Sequence, residues 1–187
     1  MRKFLTLALL ACPALFAADP LAQIYDNQVN SIERDVLRLA QAMPADKYNF
    51  APSNGTFTGV RTFGTQVKHI ATYLYMLSSA ILAEKPPVDI GSTDNGTDNG
   101  PDALQSKDQI LDYFKGSLAY AHKAVATLTV KNQLEPVNLP GNERPRPRIA
   151  AANMISWHTF DHYGQMVVYA RMNGVVPGQP APASASR

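Results

Sequence analysis

The residues best suited to chemistry in this sequence are histidines, and two of them are spaced to share one face of a helix. His158 and His162 lie four residues apart, so on a helix their side chains project in nearly the same direction, about 40° apart around the axis. Neutral imidazole is the commonest protein ligand for transition metals. The spacing therefore indicates a metal site, although two packed polar side chains would show the same spacing.

A third histidine supplies what an open metal site needs. His69 falls in a different predicted helix upstream, and three protein ligands plus a water form the open, catalytic arrangement of zinc. Helical bundles bring such ligands together from facing helices. Asp161 is the candidate catalytic residue, because a carboxylate beside His162 could orient an imidazole or accept a proton from bound water. The alternative is that Asp161 is a surface carboxylate.

Two other kinds of active site are excluded by the residues around this pair. A zinc-protease helix places Glu directly after the first histidine as the general base, whereas Thr159 stands there. No serine lies in a nucleophile-elbow context. The remaining histidine, His122, borders the apolar face of its own predicted helix, where a lone histidine is more often packed or hydrogen-bonded than a ligand. It is left out of the ligand set.

Four amphipathic segments are expected to position these side chains. Apolar residues recur along each of them at three- and four-residue steps, the pattern of a helix with one buried face. The predicted helices span residues 20–43, 62–83, 105–130 and 148–173. Pro44 ends the first and Gly174 follows the last. With no convincing strand and connections of unequal length, the sequence predicts an all-α four-helix bundle.

The longest connection joins the second predicted helix to the third. Residues 84–102 are polar and turn-rich, with Thr-Asp-Asn-Gly repeated at 93–96 and 97–100. This composition predicts a long mobile loop. The tail 178–187 is rich in Pro, Ala and Ser and is expected to be disordered, so the predicted bundle domain spans residues 19–177.

The first 18 residues have the composition of an export signal. Arg2 and Lys3 precede a short apolar run that ends in small residues, which is typical of a secretory signal peptide, here cleaved after Ala17 or Ala18. The run is shorter than the roughly 20 residues of a membrane-spanning helix. We expect an exported chain, periplasmic or secreted, with no membrane span after cleavage. The alternatives are an uncleaved N-terminal anchor and a lipoprotein acylated on Cys12.

Charge and cysteine content exclude several classes of function. Removing Arg2 and Lys3 from the 17 basic residues leaves 15, against 15 acidic residues. No basic run is interleaved with aromatics, so the sequence lacks the electrostatic footprint of a nucleic-acid-binding protein. Cys12 is the only cysteine and lies in the predicted signal. After cleavage the chain is expected to have no disulfide, cysteine nucleophile or thiolate ligand.

Several stretches together carry a resemblance to a known family. They are residues 43–48 (Met-Pro-Ala-Asp-Lys-Tyr), 61–71 around His69, 115–122 ending in His122, and 158–165 with 169–177. On these motifs the chain, over roughly 21–177, resembles the DinB/YfiT-like family of metal-dependent four-helix-bundle proteins. The resemblance implies a divalent metal ion held by His69, His158 and His162, with an open position for water or substrate.

The resemblance also bears on the reaction. Related proteins include thiol-dependent transferases and isomerases, and many members have no assigned reaction. We therefore expect an exported metalloprotein that binds one divalent transition metal, Zn²⁺ or Ni²⁺, and acts on an unknown small-molecule substrate as a hydrolase or transferase. One alternative is a non-catalytic bundle that binds a metal or a small ligand. Another is a structural role in which bundle faces pair into a homodimer.

Overall fold

The computed structural model describes residues 19–93, 98–139 and 143–179. The predicted signal peptide (1–18), residues 94–97 of the long connection, residues 140–142 and residues 180–187 of the tail lie outside the described residues. In chain order the elements are α1 (Pro20–Ile32), a π-helical turn (Glu33–Leu37), α2 (Arg38–Ala42), a 3₁₀ turn (Ala45–Lys47), α3 (Phe63–Leu82), α4 (Lys107–Val125), β1 (Pro136–Val137), β2 (Arg146–Pro147) and α5 (Arg148–Met172). Among the described helices, none combines the length and apolar character needed to cross a bilayer.

The all-α four-helix bundle predicted from the sequence is confirmed. α1, the π-helical turn and α2 follow one another without a break and form the first helix of the bundle, and α3, α4 and α5 are the other three. α3 packs most extensively against α4 and then against α5. Most of its residues are buried, as expected for a helix that runs through the core rather than along the surface. Polar side chains on α3 are therefore placed in the interior.

The core is built from large apolar side chains of all four helices. Nine large residues of this core are each at most 1% exposed, namely Ile32, Val36, Phe63, Ile70, Leu74, Phe114, Leu118, Ile155 and Met166. Removing such side chains from water contributes about 25 cal/mol per Å² of apolar area, which is the main favourable term in folding. This core fixes the relative positions of α3 and α5, the two helices that carry the three histidines of the predicted site.

Local hydrogen bonds explain where the central helices begin and end. The Thr62 side chain accepts from the backbone of Thr65 at the start of α3, and Ser106 forms a capping box with Gln109 at the start of α4. α4 ends at Val125, earlier than predicted. Beyond it, the side chain of Asn132 bonds the backbone of Thr127 and Thr129, and such side-chain contacts offer the backbone an alternative to the helix.

Two further features of the fold differ from the prediction. The first helix of the bundle contains the π-helical turn Glu33–Leu37, where an uninterrupted α-helix was expected. The connection after α4 contains strands β1 and β2, which pair antiparallel with Pro136 opposite Pro147, so the expectation of no strand was wrong. Each strand has two residues, too few to show the alternation by which strands are predicted.

The last part of the long connection is packed against α3, although the composition of the whole connection predicted mobility. Asp98, Gly100 and Pro101 are buried, and Lys68 donates from Nζ to the carbonyl of Pro101 at 3.1 Å. Gly100 has φ +76°, and a Cβ there would lie 3.1 Å from atoms of Lys68 and Thr72. This close approach holds residues 98–101 on α3 and brings Asp98 beside His69.

Candidate metal centre

Three histidines from two helices meet in the interior of the bundle. One nitrogen from each of His69, His158 and His162 lies within 4.8 Å of the other two, and the ring centroids are 4.4 to 5.0 Å apart. The Nε2 atoms of His69 and His162 are separated by 3.0 Å. Between 3% and 9% of each residue is exposed. The structure thus brings together the three residues that the sequence predicted as ligands.

The spacing of buried positions on α5 explains why its two histidines face inward. Buried residues recur along the helix at three- and four-residue steps, as Ile155, His158, Thr159, His162, Met166 and Tyr169. Asp161, the predicted catalytic residue, falls on the exposed face. Among the described residues, no hydrogen bond joins its carboxylate to any of the three imidazoles. The negative charge of Asp161 acts to raise the pKa of His162, but burial and the charges of His69 and Arg61 lower that pKa by more.

Acceptors on α3 and on the long connection fix the protonation of two imidazoles. His69 donates from Nδ1 to the carbonyl oxygen of Asp98, at 2.7 Å, because a carbonyl can only accept. His162 donates from Nδ1 to Oε1 of Gln66, also at 2.7 Å. The amide of Gln66 is oriented in turn by donating from Nε2 to Oε1 of Gln165 at 2.9 Å. Each imidazole then carries its proton on Nδ1 and presents an unprotonated Nε2 to the other.

Burial keeps the three imidazoles neutral. It is the largest cause that lowers the pKa of each of them. The pKa of His158 falls to about 3, helped by its two histidine neighbours and by the positive charge of Arg61. The pKa of His162 falls to about 4, helped by His69 and Arg61. The pKa of His69 is also lowered, although its hydrogen bond to Asp98 opposes this. Neutral imidazole is the form that binds a metal.

The donor set fits a divalent metal ion. Two unprotonated Nε2 atoms at 3.0 Å repel each other unless a cation lies between them, and burial disfavours a proton in that place. Two nitrogen ligands of a tetrahedral zinc ion lie about 3.3–3.4 Å apart, within a few tenths of an ångström of the observed separation. In addition, the buried Nδ1 of His158 has no hydrogen-bond partner among the described residues. A cation bound by these nitrogens would account for the close pair.

The carboxylate beside the histidines is Asp98, a residue that the sequence analysis missed. Its Oδ1 lies 3.4 Å from Nδ1 of His69 and accepts from Nη2 of Arg61 at 2.9 Å. Arg61 also donates from Nε to Oδ1 of Asn99 at 2.6 Å. Asp161 was predicted as the catalytic residue because it adjoins His162 along the chain, whereas Asp98 lies in the connection between α3 and α4, distant from α5 in the sequence. The repeated Asp-Asn-Gly of that loop was the only signal that could have pointed to it.

The ring of Tyr73, on α3, packs on the imidazole of His158. Tyr73 stacks on His158 with ring centroids 3.9 Å apart and an angle of 20° between the planes, and its ring lies 4.9 Å from that of His69. Burial, followed by the charge of Asp98 and a hydrogen bond to it, raises the pKa of Tyr73. Tyr73 therefore holds the ring of His158 in place and stays protonated near neutral pH.

The fourth histidine lies outside the cluster. His122 is on α4, with Nδ1 2.5 Å from the carboxylate of Asp26 and Nε2 3.5 Å from that of Glu33. It thus links α4 to the first helix of the bundle. This agrees with the expectation that His122 is a hydrogen-bonded residue rather than a member of the predicted ligand set.

Comparison with known proteins gives the same fold and a family. The chain matches the family model of the DinB superfamily over residues 28–166. It is similar to the crystal structure of a DinB-like protein from Bacillus cereus ATCC 10987, with a TM-score of 0.60 and 19% identity over 85% of this chain and 95% of that one. It is also similar to a conserved protein from Enterococcus faecalis, with a TM-score of 0.63 and 15% identity over 83% of this chain and 98% of that one.

These structures share the fold with the chain, and at such low identity they show nothing more than the fold. No curated protein gives a significant match to the sequence. The family assignment therefore rests on the family model, which covers well over half of the 187 residues. The resemblance seen in the histidine-bearing motifs is confirmed: the chain belongs to the DinB superfamily.

Proposed function

We propose that this protein is an exported metalloenzyme that binds one divalent metal ion through His69, His158 and His162. The observation that carries the proposal is the close approach of the Nε2 atoms of His69 and His162, 3.0 Å apart in the interior, while the Nδ1 atom of each contacts an oxygen. Imidazole nitrogens suit Zn²⁺ and Ni²⁺, and these are the metals we propose. The reaction is of hydrolase or transferase type on a small-molecule substrate.

The residues around the histidines support a preorganised centre. A bound divalent ion would supply a Lewis acid that lowers the pKa of water or polarises a substrate oxygen. Gln66 and the carbonyl of Asp98 hold the Nδ1 protons of two ligands, and such outer contacts orient metal-binding imidazoles. The ion pair between Arg61 and Asp98 anchors one of these contacts. A catalytic role for Asp161 stays a prediction, because its carboxylate is exposed and acts on His162 through charge alone.

The coordination of the metal separates this proposal from its main alternative, a non-catalytic metal or small-ligand carrier. X-ray absorption of the zinc-loaded protein is expected to show three imidazole ligands and one further oxygen, and that oxygen should exchange with added azide or cyanide. Four protein ligands with no exchangeable position would favour the carrier. A spectrum without imidazole scattering would contradict the assignment of the site itself.

Export is a separate part of the proposal and rests on the composition of residues 1–18. N-terminal sequencing of the protein from the periplasm or the medium should find a chain that begins at Ala18 or Asp19. Acylated Cys12 at the N-terminus would support the lipoprotein alternative. An intact Met1 on protein confined to the cytoplasm would refute export and leave the metal site untouched.

A further inference from the structure

A polar pocket of about 350 Å³ lies beside the histidine cluster. It is lined by Gly59, Val60, Arg61, Gln66, Asn99 and Gln165. Two of these residues also belong to the surroundings of the histidines, because Gln66 bonds His162 and Arg61 bonds Asp98. The volume is in the range of about 300–1,000 Å³ that small-molecule sites occupy. The pocket and the proposed metal centre therefore share a wall.

Each of the three amide oxygens in this wall accepts one hydrogen bond from inside the protein. Oδ1 of Asn99 accepts from Nε of Arg61 at 2.6 Å, and this orientation is forced because a guanidinium can only donate. Oε1 of Gln66 accepts from Nδ1 of His162 at 2.7 Å. Oε1 of Gln165 accepts from Nε2 of Gln66 at 2.9 Å. Each amide oxygen that borders the pocket therefore already has a hydrogen-bond donor inside the protein.

The polar groups of this wall that have no partner at all among the described residues are donors, and one of them belongs to the charged Arg61, which also pairs with Asp98. Contacts between described residues use Nε and one N–H of Nη2 in Arg61, and the other N–H groups of its five are available. No hydrogen bond between described residues uses the amide nitrogen of Asn99 or of Gln165. Arg61 is about a quarter exposed at its side chain, so a ligand in the pocket can reach it. Among the described residues that line the pocket, none is acidic.

We propose that this pocket binds an oxyanion, with Arg61 as its charged partner and the amide nitrogens of Asn99 and Gln165 as further donors. An acceptor-only anionic group is what such a set of donors recognises, and guanidinium binds carboxylates and phosphoryl groups particularly well. The substrate class is then a small polar molecule with a carboxylate or phosphoryl-type group. The inference rests on the proposed function for the orientation of Gln66 and Gln165, since metal binding at Nε2 keeps the proton of His162 on Nδ1.

Two substitutions test the proposal without removing the internal hydrogen bonds. Gln165→Glu and Asn99→Asp each keep the oxygen that accepts from Gln66 or Arg61, and each replaces the free amide nitrogen by a carboxylate oxygen. Gln41→Glu is the matched control, because it adds the same charge at an exposed position on α2, outside the pocket. Sulfate and acetate, added at constant ionic strength, are the probes for the phosphoryl-type and the carboxylate ligand.

The readout is the NMR shift of the side-chain N–H groups of Arg61, Asn99 and Gln165 during titration. Saturable shifts are expected in the wild-type protein and in Gln41→Glu, and binding should weaken about tenfold or more in Gln165→Glu and Asn99→Asp, since a lost donor is replaced by a repelling charge. The stronger of the two probes identifies the group recognised. No saturable shift with either probe, or an affinity in both pocket variants equal to that of the wild-type protein, would overturn the proposal.

Metal content measured on the same samples keeps the two proposals apart. Stoichiometric zinc without anion binding would refute the pocket alone. Anion binding at Arg61 and Asn99 without zinc would refute the metal centre and leave the oxyanion site standing.

Discussion

Burial of neutral histidines makes the metal-free bundle sensitive to mild acid. An imidazole in the unfolded chain has a pKa near 6.5, whereas folding lowers the pKa of His158 to about 3 and that of His162 to about 4. Between these values the unfolded state binds more protons than the folded state, so acid favours unfolding. The full stability is present above pH 6.5 and is lost progressively as the pH falls toward 4 and below.

The loss of unfolding free energy at pH 5.0 is set by protonation of the two histidines in the unfolded chain. Both folded-state pKa values lie well below 5, so each histidine stays neutral in the folded protein, and protonation of each in the unfolded chain is worth about 2 kcal/mol. At most 9% of either residue is exposed, so solvent screening takes little from this figure. Together they lower the free energy of unfolding by about 4 kcal/mol between pH 7.5 and 5.0, a large share of the typical total of about 5–15 kcal/mol.

Urea unfolding of chelator-treated protein, followed by far-UV circular dichroism at pH 7.5 and 5.0, measures this loss. The variant His162→Gln removes one of the two titrating groups, so its stability should fall by about 2 kcal/mol less than that of the wild type over the same interval. Titrating groups outside the cluster cancel in the comparison, and the loss of His162 also removes one of the effects that lower the pKa of His158. Equal pH dependence in the two proteins would refute the placement of a neutral, buried imidazole at position 162.

Three further substitutions test the supports of the site and of the core. Gln66→Leu removes the acceptor for the Nδ1 proton of a proposed ligand and should weaken zinc binding about 10–100-fold in competition with a chelating indicator; unchanged affinity would contradict its orienting role. Gly100→Ala should cost more stability than Gly174→Ala in urea unfolding, because both have positive φ but only the former brings a Cβ against α3. Phe114→Ala, at 0% exposure, should cost about 3–5 kcal/mol, whereas Phe57→Ala at an exposed position should stay within about 0.5 kcal/mol.

The parts of the molecule that the sequence predicted are those governed by local periodicity. Apolar residues at three- and four-residue steps placed all four helices of the bundle, and the same geometry placed His158 and His162 on one face of α5. His69 joins the other two histidines because α3 and α5 face each other, an arrangement that a four-helix bundle allows. These features depend on residues within one helix or on a common packing rule.

The parts that were missed depend on contacts between distant residues. Asp98 lies beside His69 because Arg61 and a close glycine contact hold the end of the long connection on α3, and no periodicity encodes such a contact. The composition of that connection is typical of mobile loops, so it gave no indication that Asp98, Gly100 and Pro101 are packed on α3. The choice of Asp161 followed proximity in sequence, whereas the exposed face of α5 carries it away from the imidazoles.

Calorimetric titration of zinc into chelator-treated protein shows whether the three histidines together hold one divalent ion. His158→Ala is the informative variant, and His122→Ala is its control, because His122 is hydrogen-bonded to Asp26 outside the cluster. We expect one zinc ion per chain in the wild type and in His122→Ala, with stoichiometric binding lost in His158→Ala. Unchanged zinc binding in His158→Ala, or none in the wild type, would contradict it.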